Sequence, residues 1–200
     1  MALTSFEFLV FVIAAVVLYY TLCSKYQWIL LLCASYVYYA ASGPKNIVFI
    51  ITATLITYVT GLLLEKTEDK KRKKQIIAGA LILDFAILAV LKYTNFFLAN
   101  INEIFHGNIS MMNLILPLGI SFFTFQSAGY MLDVYWKKTK AEHNFLRYAL
   151  FVSFFPQIMQ GPIGRFDTLS PQLRERHAFS FQNMEKALQL ILYGMFKKMV

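Results

Sequence analysis

Apolar positions along the chain fall into long runs separated by short polar breaks. The first three runs cover about Phe6 to Leu22, about Tyr26 to Ala41, and Ile47 to Leu64. Only Lys25 marks the first break, and Ser42-Gly43-Pro44 with Lys45 makes the second, a turn. Each run holds about 16 to 19 residues, enough to cross a hydrocarbon core of roughly 30 Å when the flanks snorkel. Segment three is rich in Thr and β-branched residues, which lipid tolerates in helices because no solvent competes for the backbone. Tyr36, Tyr38 and Tyr39 close segment two as aromatic residues expected at a membrane interface.

The stretch EKTEDKKRKKQ, Glu65 to Gln75, lies between two apolar runs as a short basic loop. By the positive-inside bias it is cytoplasmic, and counting back through three spans puts the N-terminus outside. Segment four, about Ile76 to Ala99, contains Asp84 and Lys92, whose charges are costly in a membrane. They stand about 12 Å apart along a helix and about 80° around it, so they cannot pair with each other. Lys92 is near the far end, where a structural, snorkelling role is as good an explanation as a functional one. Asn95, Asn100, Asn102, Glu103, His106 and Asn108 then read as a polar outside loop.

Segment five opens at Asn113 and runs through LPLGISFFTFQSAGYMLDVY, where Pro117 and Gly119 are expected to break or bend the helix. Asp133, Lys137, Lys138 and Lys140 return the chain to the basic side. The next apolar run, Tyr148 to Gly164, is broken at Pro156 and again at Gly161-Pro162. Each half reaches only about 12 to 15 Å as helix, half a bilayer. Basic residues flank it on both sides, so a re-entrant hairpin is favoured over a single kinked span. Four of the five prolines fall between Leu116 and Pro171. Such backbone is tolerated at membrane depth only where protein buries it or it lines a cavity. From Ser180, a plausible N-cap, Phe181, Met184, Leu188, Ile191, Leu192, Met195 and Met199 recur at helical spacing, predicting an amphipathic helix. That helix reaches Val200 without a stop signal, so the chain is expected to be the N-terminal part of a longer protein.

Composition supports the membrane assignment. Hydrophobic residues make up 58% of the 200, charged residues only 15%, and mean hydropathy is +0.54. The net charge of +8 comes from clusters between apolar runs, and no basic face of a soluble module is visible, which excludes nucleic-acid binding. The first run lacks the basic n-region and small-residue cleavage site of a signal peptide and reads as a retained helix. Cys23 and Cys33 offer neither metal spacing nor a disulfide framework and are expected to pack as small apolar residues. The predicted fold is an all-α multi-pass membrane protein with about five spanning helices, a re-entrant hairpin and an amphipathic helix.

The segments LPLGISFFTFQSAGYMLDVYW and FVSFFPQIMQGPIGRF resemble the membrane-bound O-acyltransferase family, and in particular its bacterial alginate O-acetylase branch. Leu30 to Ala40 (LLLCASYVYYA), Leu91 to Phe97 (LKYTNFF), His143 to Gln157 and the terminal GMFKKMV agree in order. The resemblance covers the chain from Phe6 to Val200. It implies part of a single transmembrane domain, residues 1 to 200, within a ring of helices around a funnel where acyl groups pass to a hydroxyl. It implies an acyl donor as co-substrate, an acyl-carrier protein or a coenzyme-A-derived thioester on the cytoplasmic side, and no bound cofactor or metal. The implied acceptor is an exported or cell-surface polysaccharide with its modification machinery.

The family's catalytic histidine is expected beyond Val200. His106, His143 and His177 all stand in polar loops, so no catalytic residue is assigned, and this portion alone is expected to be inactive. Gln157, Gly161, Pro162 and Arg165, in the segment PQIMQGPIGR, are the candidates for the funnel wall, with Gln126 and Ser121 weaker ones. Arg165 is a candidate to neutralise a phosphate-bearing donor at the cytoplasmic mouth, with positive-inside anchoring its plain alternative. Two other classes remain open: a transporter or channel subunit, which predicts an inverted repeat not found here, and a non-catalytic scaffold.

Overall fold

A computed structural model describes residues 5–21, 24–105, 109–114 and 116–199. Cys23, His106 and Asn108 lie outside them. Among the described residues the chain is all-helical, without a strand. The helices are α1 (Phe6–Thr21), α2 (Gln27–Ala41), α3 (Pro44–Lys66), α4 (Lys70–Phe105), α5 (Ile120–Tyr135), α6 (Phe145–Ser153), α7 (Phe155–Gln160), α8 (Phe166–Arg174) and α9 (Phe181–Met199).

Two helices are long and apolar enough to cross a membrane, within Asn46–Lys66 and Lys70–Phe105. Only 17% of the apolar stretch of α4 is buried, so it is not the core helix of a soluble bundle. Its outward side chains, such as Ile82 at 70% and Phe105 at 75% exposure, suit lipid and not water. By contrast α1, with 16 residues, and α2, with 15, are about 22 to 24 Å long and shorter than a hydrocarbon core of roughly 30 Å.

Several boundaries differ from the sequence expectation. The basic stretch 65–75 is non-helical only at 67–69, because Asp69 starts α4 early: its carboxylate accepts from the Lys71 amide at 3.0 Å and its carbonyl from the Lys73 amide at 2.9 Å. Lys, Arg and Gln are good helix formers, so nothing in the stretch resists. At the other end Asn95, Asn100, Asn102 and Glu103 are helical and not a loop. Asn95 and Asn102, two turns apart, face the returning chain. Asn95 exchanges two hydrogen bonds with the Met112 backbone (2.8 and 2.9 Å) and Asn102 two with that of Ile109 (2.8 and 2.9 Å). Pro117 and Gly119 do not bend a helix either: they precede α5, and Gly119 is its N-cap in the left-handed region at φ 68°.

The core lies where α2, α3, α5 and α6 meet. Tyr39 is fully buried there, and its hydroxyl donates to the Leu118 carbonyl at 2.7 Å, tying the non-helical entry of α5 to α2; Tyr38 is buried against Phe8, Phe11 and Phe155. Cys33, expected to be packed, is exposed. Lys92 has a structural contact, donating from Nζ to Ser121 Oγ at 2.9 Å. Asp84 is buried at 4% exposure, and its Oδ2 has no hydrogen-bond partner. It lies near Tyr148, whose hydroxyl donates to Thr57 Oγ1 at 2.8 Å.

Charged side chains gather at one end of the bundle. Glu65 Oε2 meets His143 Nε2 at 2.9 Å, Glu142 meets Arg174 at 3.3 Å, and Arg165 lies 4.0 Å from Asp133. The helix α9 begins as expected, with the Met184 amide donating to the Ser180 carbonyl at 3.0 Å, and Phe181, Leu188, Ile191, Leu192 and Met195 on it are exposed.

Candidate functional site

The broken helix from α6 to α7 is the centre of the candidate site. Asn144 caps α6, accepting from the amides of Leu146 (3.0 Å) and Arg147 (3.2 Å). Tyr148 to Ser153 are then buried without interruption, so this part of the helix is enclosed by protein on all sides. The break comes at Phe154, φ −54° and ψ 104°. Pro156 explains it: a proline lacks the N–H that the Val152 carbonyl would accept from, and its ring crowds that carbonyl.

Two neighbouring helices satisfy two of the backbone groups that the break frees. In a continuous helix Phe155 would donate to the Phe151 carbonyl. Instead the Phe155 amide donates to Ser35 Oγ on α2 at 3.2 Å, and the Phe151 carbonyl accepts from Gln126 Nε2 on α5 at 2.9 Å. Ser35 in turn donates to the Leu31 carbonyl at 2.8 Å. Buried backbone groups are rarely left unpaired, and here side chains from α2 and α5 take the place of the lost helical bond.

The short α7 is held by a close backbone approach. A Cβ on Gly119 would overlap the Ile158 side chain and come within 2.7 Å of the Ile158 carbonyl oxygen. The positive φ at Gly119 is a second reason for glycine there. At the far end a Cβ on Gly161 would lie 2.7 Å from Gln157 Cα and 3.0 Å from the Gln157 carbonyl oxygen, which accepts the Gly161 amide at 2.9 Å. Beyond it the chain doubles back. Phe166 packs on Phe151 (ring centroids 5.0 Å apart) and on Tyr130 (4.8 Å), so the far flank of the run returns to the last turn of α6 and to α5.

The six sequence candidates divide into four situations, and Ser121 is the acceptor of Lys92 Nζ at 2.9 Å. Gln126, at 3% exposure, is a helix-to-helix donor and faces no open space. Gln157 and Gly161 stand together at the end of α7. Gln157 Oε1 is shut off from solvent and has no hydrogen-bond partner, and Gly164 leaves room for that amide, since a Cβ there would sit 2.7 Å from Oε1. Pro162 and Arg165 are exposed. Arg165 Nη2 is 3.0 Å from Asp167 Oδ2 and 4.0 Å from Asp133 Oδ2, so its charge already has two carboxylate neighbours. Among the described residues no cluster of His, Cys, Asp and Glu could hold a metal ion. His143 and His177 are in non-helical segments, and neither lies among the groups around the break.

Ser35 was not singled out by sequence reasoning, and Tyr39 was read only as an interfacial aromatic and not as a hydrogen-bond donor. A serine inside an aromatic helix carries no signal of its own, and its role depends on a break 120 residues later.

The chain is similar to curated bacterial O-acetylases. It is 31% identical over 199 residues to the peptidoglycan O-acetyltransferase of Helicobacter pylori, covering 86% of this chain and 37% of that protein. It is 36% identical over 165 residues to the probable alginate O-acetylase AlgI of Pseudomonas aeruginosa, covering 80% of this chain and 32% of that one. The AlgI of Azotobacter vinelandii is 32% identical over 164 residues. By sequence, the chain is a relative of the O-acetylases. The resemblance read from the motifs thus holds over most of the chain, which spans about a third of the length of these relatives. No family model matches the chain, and no solved structure does.

Proposed function

We propose that this chain is the N-terminal part of a membrane-bound O-acyltransferase that transfers acetyl groups to hydroxyls of an exported or cell-surface polysaccharide. The observation that carries the reading is the similarity to relatives named for two different polymers, alginate and peptidoglycan, at 36% and 31% identity. What they have in common by name is O-acetyl transfer, and the polymer is where they differ.

In this reading α1 to α5 span the membrane, the end carrying Glu65, Glu142 and Arg174 is cytoplasmic, and α6 to α8 form a re-entrant hairpin. The ion pairs at one end and the return of Phe166 to Tyr130 support it. The break at 154 is tolerable at membrane depth because side chains of α2 and α5 pair with its backbone, and the exposed turn at 161–165 lies at the cytoplasmic rim in this reading. The hairpin contributes a wall of the funnel through Gln157 and Gly161, with Pro162 and Arg165 at its rim.

The reaction is an ester exchange. An acyl thioester from the cytoplasm loses its C–S bond, the acceptor oxygen forms the new C–O bond, and the hydroxyl proton ends on the released thiol. A base must take that proton. No histidine of this chain is proposed for it, and the family's histidine is expected in the part that follows. Gln157 is proposed to shape the hairpin wall against which a substrate is positioned, not to transfer protons.

The test is to express the full-length protein in a host that makes the polymer and lacks its own acetylase, then count acetyl esters on that polymer. Esters that appear with the wild type and fall at least tenfold with Gln157→Leu at equal membrane abundance are expected. A polymer left without esters by the wild type would overturn the acyltransferase reading.

A further inference from the structure

A cavity of about 360 Å³ opens beside the first turn of α2, apart from the broken helix and independent of the acyl-transfer reading. Lys25, Arg147, Arg174 and Arg176 line it, together with Tyr26 and Trp28. Among the described residues no carboxylate does. The volume is at the lower end of small-molecule sites, and four cations around one hollow repel one another unless an anion lies between them.

The cations differ in how they are already used. Arg174 is held in place, donating from Nε to the Ser170 carbonyl at 3.1 Å and pairing through Nη1 with Glu142 at 3.3 Å. Lys25, Arg147 and Arg176 form no ion pair among the described residues. Arg147 stacks over the Trp28 ring, 5.9 Å from its centroid, and its Nε is buried without an acceptor. Arg147 lines the cavity with no carboxylate among the described residues to balance its charge.

The walls are also positioned by design of the chain and not by chance proximity. Gln27, at 3% exposure, donates from Nε2 to the His177 carbonyl at 2.9 Å and accepts the His177 amide on Oε1 at 3.1 Å. This two-bond clasp fixes the segment after α8 against the start of α2, so Arg174 and Arg176 stay opposite Lys25 and Trp28. Arg165 provides the contrast, since its guanidinium is already engaged by Asp167 and Asp133.

We propose that this cavity binds a phosphate ester. Arginine forks match phosphate oxygens in pairs, and Trp28 and Tyr26 offer amphipathic rings beside them. The phosphate has two possible sources: the headgroup of an anionic lipid, or a small soluble phosphate compound.

The experiment uses the full-length protein, purified and reconstituted in nanodiscs. In one arm the discs mix phosphatidylglycerol with phosphatidylcholine, and native mass spectrometry counts the retained lipid. In the other the discs contain phosphatidylcholine only, and calorimetry follows inorganic phosphate. Arg176→Gln and Lys25→Gln, both exposed side chains, are compared with Arg72→Gln in the basic start of α4. Loss of one cation is expected to weaken the interaction by roughly tenfold, while Arg72→Gln leaves it unchanged. A loss confined to the lipid arm identifies a headgroup, and a loss in the phosphate arm identifies a soluble ligand. If neither arm distinguishes Arg176→Gln and Lys25→Gln from wild type, or Arg72→Gln lowers binding equally, the site does not exist.

Discussion

Gln126 donates its side-chain N–H to the Phe151 carbonyl at 2.9 Å, the carbonyl that loses its helical partner where α6 breaks. A polar residue on α5 thereby completes the backbone of a different helix. Replacing it with Leu leaves a buried carbonyl unpaired, at a cost of about 1 to 3 kcal/mol. Denaturant unfolding of the full-length protein in detergent should show that loss for Gln126→Leu, and a smaller one for Ser35→Ala. An unchanged midpoint for Gln126→Leu would mean that the break does not depend on this bond.

Gly119 faces two separate demands, a positive φ and contact with Ile158. Gly119→Ala is expected to destabilise by about 1 to 2 kcal/mol for the left-handed backbone alone, with the overlap added. Ile158→Ala in the same chain should recover only the side-chain part of the overlap, because the Ile158 carbonyl oxygen stays 2.7 Å from the new Cβ. Full recovery in the double variant would show that φ contributes nothing.

Arg165 is exposed and shared between two carboxylates, so Arg165→Ala should change stability by less than about 1 kcal/mol. If it meets the acyl donor as proposed, the variant raises KM for the donor with kcat little altered. Asp167→Asn, which frees the guanidinium, should lower that KM. Steady-state acetyl transfer by full-length variants reads both, and equal KM values in all three would remove Arg165 from the donor path.

Asp84 is buried with an unpartnered carboxylate oxygen. Burying a charged group without a partner is costly, so Asp84→Asn is expected to hold or raise the unfolding free energy, by up to about 2 kcal/mol. A large destabilisation by Asn would show that the carboxylate has a partner in the full-length protein.

Much of the chain was legible from hydropathy and charge. The run boundaries placed α1 to α3 within a few residues, and Phe181 to Met199 is helical as the spacing of its apolar residues implied. The break at Pro156 was visible because proline removes a donor wherever it stands. Helix ends were less legible: Asn95 and Asn102 looked like loop residues, yet they are helical because their amides pair with the backbone of Met112 and Ile109.

The sequence by itself determined that the chain is helical and lipid-facing, where its backbone must break, and to which proteins it is related. These follow from local chemistry: runs of apolar side chains, a missing N–H, and motifs in order. Only the tertiary structure decided which groups repair the break, that Tyr39 is a buried donor to Leu118, and that Lys25, Arg147, Arg174 and Arg176 surround one cavity. Such pairings join distant residues, as in the Gln27 to His177 clasp across 150 positions. A hydrogen bond between distant residues depends on how the helices pack, and the linear pattern of polarity does not encode that pairing.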